Sequence, residues 1–236
     1  MSLESIQFER PSASLPASIN AVTTTRGGGF SGGGCASFNL AHQVGDDPQD
    51  VEKNRALLQR SLALPSEPLW LQQVHSDRVA NAGKADASYS RRPGDVLCIQ
   101  SADCLPILIW DNTGKEIAAV HAGWRGLDSS IIKKTIRKFE SKDLTAWIGP
   151  HIQVCHYEVD VDLYVRFNRY PEALLQGSDP EHWQFNLAMV ARLQLTEAGV
   201  ETVVQSESCT ACDTERFYSY RRDRFCGRMA TLIWMS

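Results

Sequence analysis

Apolar residues recur along this chain at two spacings, and the change from one to the other marks the expected elements. Ser18 to Thr25 is β-branched and partly alternating, which predicts a strand. It runs into Arg26-Gly27-Gly28-Gly29-Phe30-Ser31-Gly32-Gly33-Gly34, too rich in glycine for regular structure. After the turn-like residues Asn39 to Asp47, Pro48 stands where a helix can start. Val51, Leu57, Leu58 and Leu62 give an apolar face to a helix from Gln49 to Leu64, which Pro65 ends. Leu69 to Val74 predicts a strand delivering His75 at its end. Ser76 to Pro93 is polar and predicts a loop with one short strand near Val79.

Two apolar, β-prone runs, Asp95 to Gln100 and Leu105 to Trp110, flank Ser101-Ala102-Asp103-Cys104. A turn at Asp111-Asn112-Thr113-Gly114 leads into a strand from Ile117 to Val120, so Cys104 and His121 are expected on neighbouring strands. Gly126 to Ser141 predicts a helix with Leu127, Ile131, Ile132, Ile136 and Phe139 inward, followed by a strand from Ala146 to Ile148. Further on, Val154 to Val159 is β-like, Val161 to Tyr170 is helical in pattern, and a helix from Asn186 to Ala198 leads into a strand from Glu201 to Gln205. Met229 to Trp234 closes the chain as a strand. There is no internal repeat. Strands and helices intermix without a strict βαβ rhythm, which predicts an α+β fold, a single domain over residues 1–236 with mixed β-sheets and flanking helices.

Composition narrows the class. With 43% hydrophobic and 22% charged residues the chain is globular, neither disordered nor fibrous. A net charge of −4 argues against a broad footprint for nucleic acid or an anionic membrane, while leaving room for local positive pockets. The first twenty residues carry Glu4 and Glu9 and are interrupted by Pro11 and Pro16, unlike a secretory leader. No run approaches the ~18 apolar residues of a membrane span, so a cytoplasmic location is expected. Seven cysteines, an odd and scattered set, suit free thiols or metal ligands better than a disulfide framework.

Candidate chemistry centres on His75, Cys104 and His121, each beside an apolar run. Imidazole and thiolate are preferred zinc ligands, and three protein ligands with an open fourth position describe a catalytic zinc site. Their separations match no local metal motif, so spacing alone leaves packed or solvated side chains as the alternative. Cys209-x-x-Cys212 is a second candidate zinc or redox pair. A four-ligand zinc would need another such pair, no other C-x-x-C occurs, and the adjacent Cys155 and His156 are too close in sequence to serve as one. The glycine loop with Arg26 could cradle a phosphate or be a mobile surface loop; Walker and dinucleotide patterns are both absent. Arg125, Arg221 and Arg222 are either anion contacts or surface charges. His151 and His182 carry no motif, and Trp124 could pack in a core or stack on a base.

Gln73-Val74-His75, Ala102-Asp103-Cys104-Leu105-Pro106, His121-Ala122-Gly123-Trp124-Arg125-Gly126 and Ile148-Gly149-Pro150, in that order, resemble the YfiH-like family. Its members are described as purine nucleoside phosphorylases, and earlier as multicopper polyphenol oxidases or laccase-domain proteins. The likeness extends from Thr25-Arg26-Gly27-Gly28 and Phe38-Asn39-Leu40-Ala41-His42 to Phe217-Tyr218-Ser219-Tyr220-Arg221-Arg222-Asp223 and Gly227-Arg228-Met229, nearly the whole chain. Ser76 and Gln153 depart from the family's usual glycines.

The resemblance implies a zinc site at His75, Cys104 and His121, with copper as an alternative metal. It implies phosphorolysis of adenosine, inosine and methylthioadenosine, with adenosine deamination. Arg26, Asn39 and Arg125 are the expected substrate contacts, Arg26 as phosphate clamp, and Asp103 joins the trio as a proton-transfer group. The expected partners are purine nucleosides and phosphate, not nucleic acid or membrane, with the chain a monomer or homodimer. Copper-dependent polyphenol oxidation is the first rival. A full laccase set asks for about ten histidines, and the chain has six. The second rival makes Cys104 a nucleophile, in keeping with the fold-level kinship to cysteine hydrolases that the family has been assigned. A non-enzymatic zinc sensor or binding module is the third.

Overall fold

Two β-sheets lie face to face between helices in the computed structural model, which describes residues 6–236; Glu4 of the polar start lies outside them. The strands are β1 (Phe8–Glu9), β2 (Ile19–Thr24), β3 (Ala87–Ser90), β4 (Val96–Ser101), β5 (Leu105–Asp111), β6 (Ile117–Ala122), β7 (Leu144–Ile148), β8 (Glu158–Asp160), β9 (Leu174–Gln176), β10 (His182–Phe185), β11 (Thr202–Gln205) and β12 (Met229–Met235). The helices are α1 (Pro48–Ser61), α2 (Trp124–Asp128), α3 (Ile131–Ile136), α4 (Val161–Phe167), α5 (Leu187–Glu197) and α6 (Tyr220–Asp223). One sheet has the order β1-β2-β12-β4 and is antiparallel. The other has the order β11-β7-β5-β6-β3, antiparallel except for the parallel pair β11 and β7. A small third sheet, β8-β10-β9, stands beside them.

Strand β5 shows why the run Leu-Pro-Ile-Leu-Ile-Trp is apolar without alternating. All of it is buried, because both faces of its sheet are covered. Ile107 and Ile109 pack toward Leu127, Ile131, Ile132 and Leu195 of the helical layer. Leu108 and Trp110 point the other way, against Ala21, Leu97, Ile99 and Ile233 of the first sheet. On that sheet's outer face Val22, Cys98 and Leu232 meet Leu58 of α1 with Phe38 and Leu40. The result is a helix/sheet/sheet/helix layering, in line with the expected α+β class of mixed sheets and flanking helices. Among the described residues no helix is long and apolar enough to cross a membrane.

Three local expectations need correction. Leu69 to Val74 is not a strand and makes only isolated bridges, Leu69 to Leu97 and Gln72 to Lys84. Its ladder is replaced by side chains: the Gln73 carboxamide donates to Gln100 O at 2.7 Å and accepts from Gln100 N at 2.8 Å. The helix expected over Gly126 to Ser141 is two short ones, broken at Ser129-Ser130, where Ser130 adopts φ +66°. Serine side chains compete for backbone bonds and hold a helix poorly. The β-like stretch from Val154 is a 3-10 turn, Val154–His156, before the short β8. Strands β1, β3, β9 and β10 and helix α6 gave no clear signal; β3, Ala-Ser-Tyr-Ser, is held by pairing with β6, not by its own propensity.

Leu108→Ala opens a cavity between the two sheets. The expected cost is about 2–5 kcal/mol, seen in urea as a lower midpoint with an unchanged m-value.

Candidate metal centre and active-site cavity

His75, Cys104 and His121 come together because the chain changes sheet between β4 and β5. Residues 101–104 make that crossing, with Asp103 at φ +89°, and Cys104 is left at the mouth of β5. Pro106 pairs with His121 on β6, which brings the imidazole beside the thiol. His75 arrives from the irregular loop at φ +58°, left-handed backbone that a non-glycine residue seldom adopts. Ligand atoms of the three lie within 4.8 Å of one another. Cys104 Sγ is 3.8 Å from His75 Nε2, and the two imidazoles meet edge to face with centroids 4.8 Å apart. Gly123 follows β6 directly, and a Cβ there would stand 3.0 Å from the Cys104 sulfur. The His-Ala-Gly sequence thus keeps the space beside the sulfur open.

Asp86, which the sequence did not single out, holds His75 and His121 in place. Its fully buried carboxylate accepts from His121 Nδ1 at 2.9 Å and from the backbone N–H of Val74, His75 and Ser76 at 3.2, 3.0 and 2.6 Å. The Ser76 hydroxyl adds a bond of 2.7 Å, which gives a role to the residue that replaces the family's usual glycine. These donors hold the Asp86 carboxyl well below the usual carboxylate range although burial opposes its charge. An ionised carboxylate only accepts, so His121 Nδ1 carries the proton and Nε2 presents its lone pair to a metal. The donor set therefore fits one thiophilic divalent ion. No motif announces Asp86; only its place in the loop facing His75 and His121 identifies it.

Contacts within the trio and with Asp86 also set the protonation of Cys104 and His121. Burial disfavours the Cys104 thiolate, but the charge and hydrogen bonding of His121 and the bond from His75 prevail and bring it down to about 6. Burial likewise disfavours a charged His121, and Cys104 with Asp86 raises it to about 9. A thiolate–imidazolium pair is the metal-free state between those values. A metal entering must displace the His121 proton.

The trio lines a cavity of about 490 Å³, within the usual range for small-molecule sites. Arg125, Arg221, Arg224 and Arg228 also line it, opposed by Asp103 as its carboxylate. Trp124, Tyr157 and Tyr220 supply aromatic surface. Of the expected contacts, Arg125 is there. Asp103 is there too, but both its oxygens are engaged, one by the Thr210 hydroxyl at 2.7 Å and one by the Arg221 N–H at 2.6 Å. That arrangement suits a brace better than a proton donor. Arg26 and Asn39 are not among the lining residues. The Arg26 guanidinium donates to Ala36 O and Thr214 O and lies over Tyr218, tying the glycine loop to the body. Asn39 is buried, bonded to Ala41, Asp46 and Arg228 N. Gly29 of that loop sits so close to Ser37 and Phe38 that a Cβ would clash at 2.3 Å, so this glycine serves packing. Arg224, Arg228 and Tyr220 are not among the candidates the sequence offers; the alternation of aromatic and basic residues was the available signal.

A Cys/His cluster that could hold a metal ion thus lines a basic cavity on a pair of stacked sheets. The family described as multi-copper polyphenol oxidoreductase laccase matches residues 20–236, and the chain belongs to that family. It is 37% identical to the purine nucleoside phosphorylase of Haemophilus influenzae, over 97% of this chain and 99% of that one. It is 39% identical to purine nucleoside phosphorylase YfiH of Shigella flexneri, over 95% of this chain and 97% of that one. The crystal structure of Neisseria meningitidis protein NMB0706 superposes with a TM-score of 0.92 at 35% identity, covering 97% of this chain and 99% of that one. The resemblance to the YfiH-like family is borne out.

Asp86→Asn is expected to weaken metal at the trio by about 10–100-fold. The measurement is the zinc concentration that half-protects Cys104 from iodoacetamide, followed on the Cys104 peptide by mass spectrometry; an unchanged value would show that Asp86 is not needed. In metal-free protein the alkylation rate of Cys104 is expected to rise with pH through a midpoint of about 6. His121→Ala moves that midpoint upward, because the stabilising charge is gone.

Proposed function

We propose that this protein is a zinc-dependent purine nucleoside phosphorylase, cleaving adenosine, inosine and methylthioadenosine with phosphate and also deaminating adenosine. One observation carries the reading: His75, Cys104 and His121 share a single cavity with Arg125, Arg221, Arg224 and Arg228. A site for an electrophilic metal next to a cluster of guanidinium groups suits a substrate pair of which one partner is a small polyanion. The name carried by the Haemophilus and Shigella relatives supports the same assignment.

Bound at the trio, zinc supplies Lewis acidity and lowers the pKa of water. The chain's own residues do the positioning. Arg125, Arg221, Arg224 and Arg228 neutralise phosphate and orient an oxygen toward the anomeric carbon. Trp124, Tyr157 and Tyr220 offer faces on which a purine can stack. In phosphorolysis an oxygen of hydrogen phosphate bonds to C1′ while the C1′–N9 bond breaks, the purine takes the electron pair and the proton that the phosphate gives up, and ribose 1-phosphate is formed. Asp103 acts by bracing Arg221, and Arg26 by anchoring the glycine loop.

Among the described residues the remaining histidines do not converge into the set a laccase-type copper cluster needs. His42 pairs with Glu52, His151 bonds Gly149 O, His156 lies among cysteines elsewhere and His182 pairs with Asp179. The lowered Cys104 thiol favours one other reading, in which Cys104 attacks substrate as a hydrolase nucleophile. Full activity after metal removal would support it.

Zinc-loaded protein incubated with adenosine, with and without phosphate, and read by mass spectrometry separates these cases. Adenine plus ribose 1-phosphate, formed only with phosphate, is the expected result, with inosine marking deamination; no conversion of any purine nucleoside would refute the assignment. Arg125→Ala is expected to raise the phosphate KM by about tenfold, the loss of one charge-assisted bond, with a smaller effect on the nucleoside KM. Arg26→Ala is expected to leave the ratio of the two KM values unchanged.

A further inference from the structure

A second set of metal-ligating side chains lies outside the trio. Cys155, His156, Cys209 and Cys212 have ligand atoms all within 4.8 Å of one another. Cys155 Sγ is 3.6 Å from Cys212 Sγ and 3.8 Å from Cys209 Sγ. His156 Nδ1 is 3.2 Å from Cys155 Sγ, 3.3 Å from Cys212 Sγ and 4.0 Å from Cys209 Sγ. Metal–sulfur bonds of about 2.3 Å and a metal–nitrogen bond of about 2.0 Å at tetrahedral angles put sulfurs about 3.8 Å apart and sulfur and nitrogen about 3.5 Å apart. The five separations given lie within about 0.5 Å of that tetrahedron, and the sixth, Cys209 to Cys212, is within 4.8 Å.

The sequence reading set this aside for want of a second C-x-x-C, and the fold supplies what spacing did not. Strands β7 and β11 pair in parallel, so the loops that follow them leave from the same end of the sheet. The bridge of His151 with Cys209 and the bond from Thr210 N to His151 O join those loops. The 3-10 turn Val154–His156 then turns two adjacent residues, Cys155 and His156, toward the Cys209–Cys212 turn. Gln153 N donates to Cys209 Sγ at 3.4 Å, a backbone bond to sulfur of the kind that steadies a ligating thiolate.

We propose that Cys155, His156, Cys209 and Cys212 form a second, structural metal site that binds one Zn²⁺ in closed Cys₃His coordination. Soft thiolates and tetrahedral geometry select zinc over harder divalent ions. The ion staples the cavity wall. The apolar cluster here is only Ile152, Cys209 and Ala211 with Tyr157 against it, a small core for three converging segments. From the turn, the Thr210 hydroxyl reaches Asp103, next to Cys104. The Arg222 guanidinium grips Thr210 O at 3.0 Å and Ala211 O at 3.2 Å, fixing α6, whose Tyr220 and Arg221 line the cavity. Tyr157, directly after His156, lines it as well. The proposal does not depend on which reaction the cavity performs.

The test uses full-length protein, reduced, stripped of metal and titrated with Zn²⁺ and separately with Co²⁺. Wild type is expected to bind two equivalents, and Cys104→Ser one. Cobalt in Cys104→Ser should show the thiolate-to-metal and tetrahedral d–d bands of a site with three sulfurs, abolished by adding Cys212→Ser. Zinc should raise the Tm of Cys104→Ser and raise it less once Cys212 or Cys155 is also serine. Because Cys155 and Cys212 are exposed, these variants are expected to fold, which circular dichroism checks. Cys104→Ser protein that takes up no ion, or an ion held equally well after Cys155→Ser and Cys212→Ser, would overturn the proposal. Either result leaves the nucleoside assay of wild type untouched, so the two proposals fail separately.

Discussion

One buried carboxylate holds the candidate active site together. Asp86 has no exposed surface, and its charge is supported by five donors from the 74–76 loop and His121. A buried ion without such donors would cost several kcal/mol, so the loop, the imidazole and the carboxylate stand or fall as a unit. The same bonds fix the strained backbone of His75 and the tautomer of His121. Two ligands from different elements thereby acquire their geometry from one anion.

The rest of the scaffold explains why the site lies where it does. β4 belongs to one sheet and β5 to the other, and the short crossing between them, residues 101–104, carries Asp103 and Cys104. Both sheets are covered on their outer faces, so the crossing sits at the end of a rigid double layer. Around it the charge balance inverts: the chain carries a net −4, while four arginines and one aspartate line the cavity. A protein with no general affinity for polyanions can still concentrate positive potential where one small anion would react.

Much of the scaffold was legible from residue pattern. Strands β2, β4, β5, β6, β7 and β12 are long apolar or β-branched runs, and helices α1 and α5 carry a start signal, Pro48 after Asp47 and Asn186. Ligand identities were legible as well, since His and Cys advertise their chemistry. Elements held by partners were hidden. The 69–74 segment looks like a strand but bonds through Gln73 and Asp86 side chains, β3 lacks apolar pattern, and the serines at 129–130 break a helix whose apolar face continues. Arg26 read as an anion clamp because arginine beside glycines fits that use; in the fold its donors are occupied by carbonyls of its own loop and of Thr214.

By itself the sequence determined most of the longer strands and helices and which side chains can bind a metal, because burial pattern and ligand chemistry are properties of residues and their near neighbours. The tertiary structure alone decided which remote groups meet. It placed Asp86 under His75 and His121, turned Arg221, Arg224 and Arg228 into the cavity and withdrew Arg26. It also joined Cys155 and His156 to Cys209 and Cys212 across a parallel strand pair. Coordination and hydrogen bonding act over a few ångströms, and such distances between segments far apart in the chain exist only once the sheets have paired.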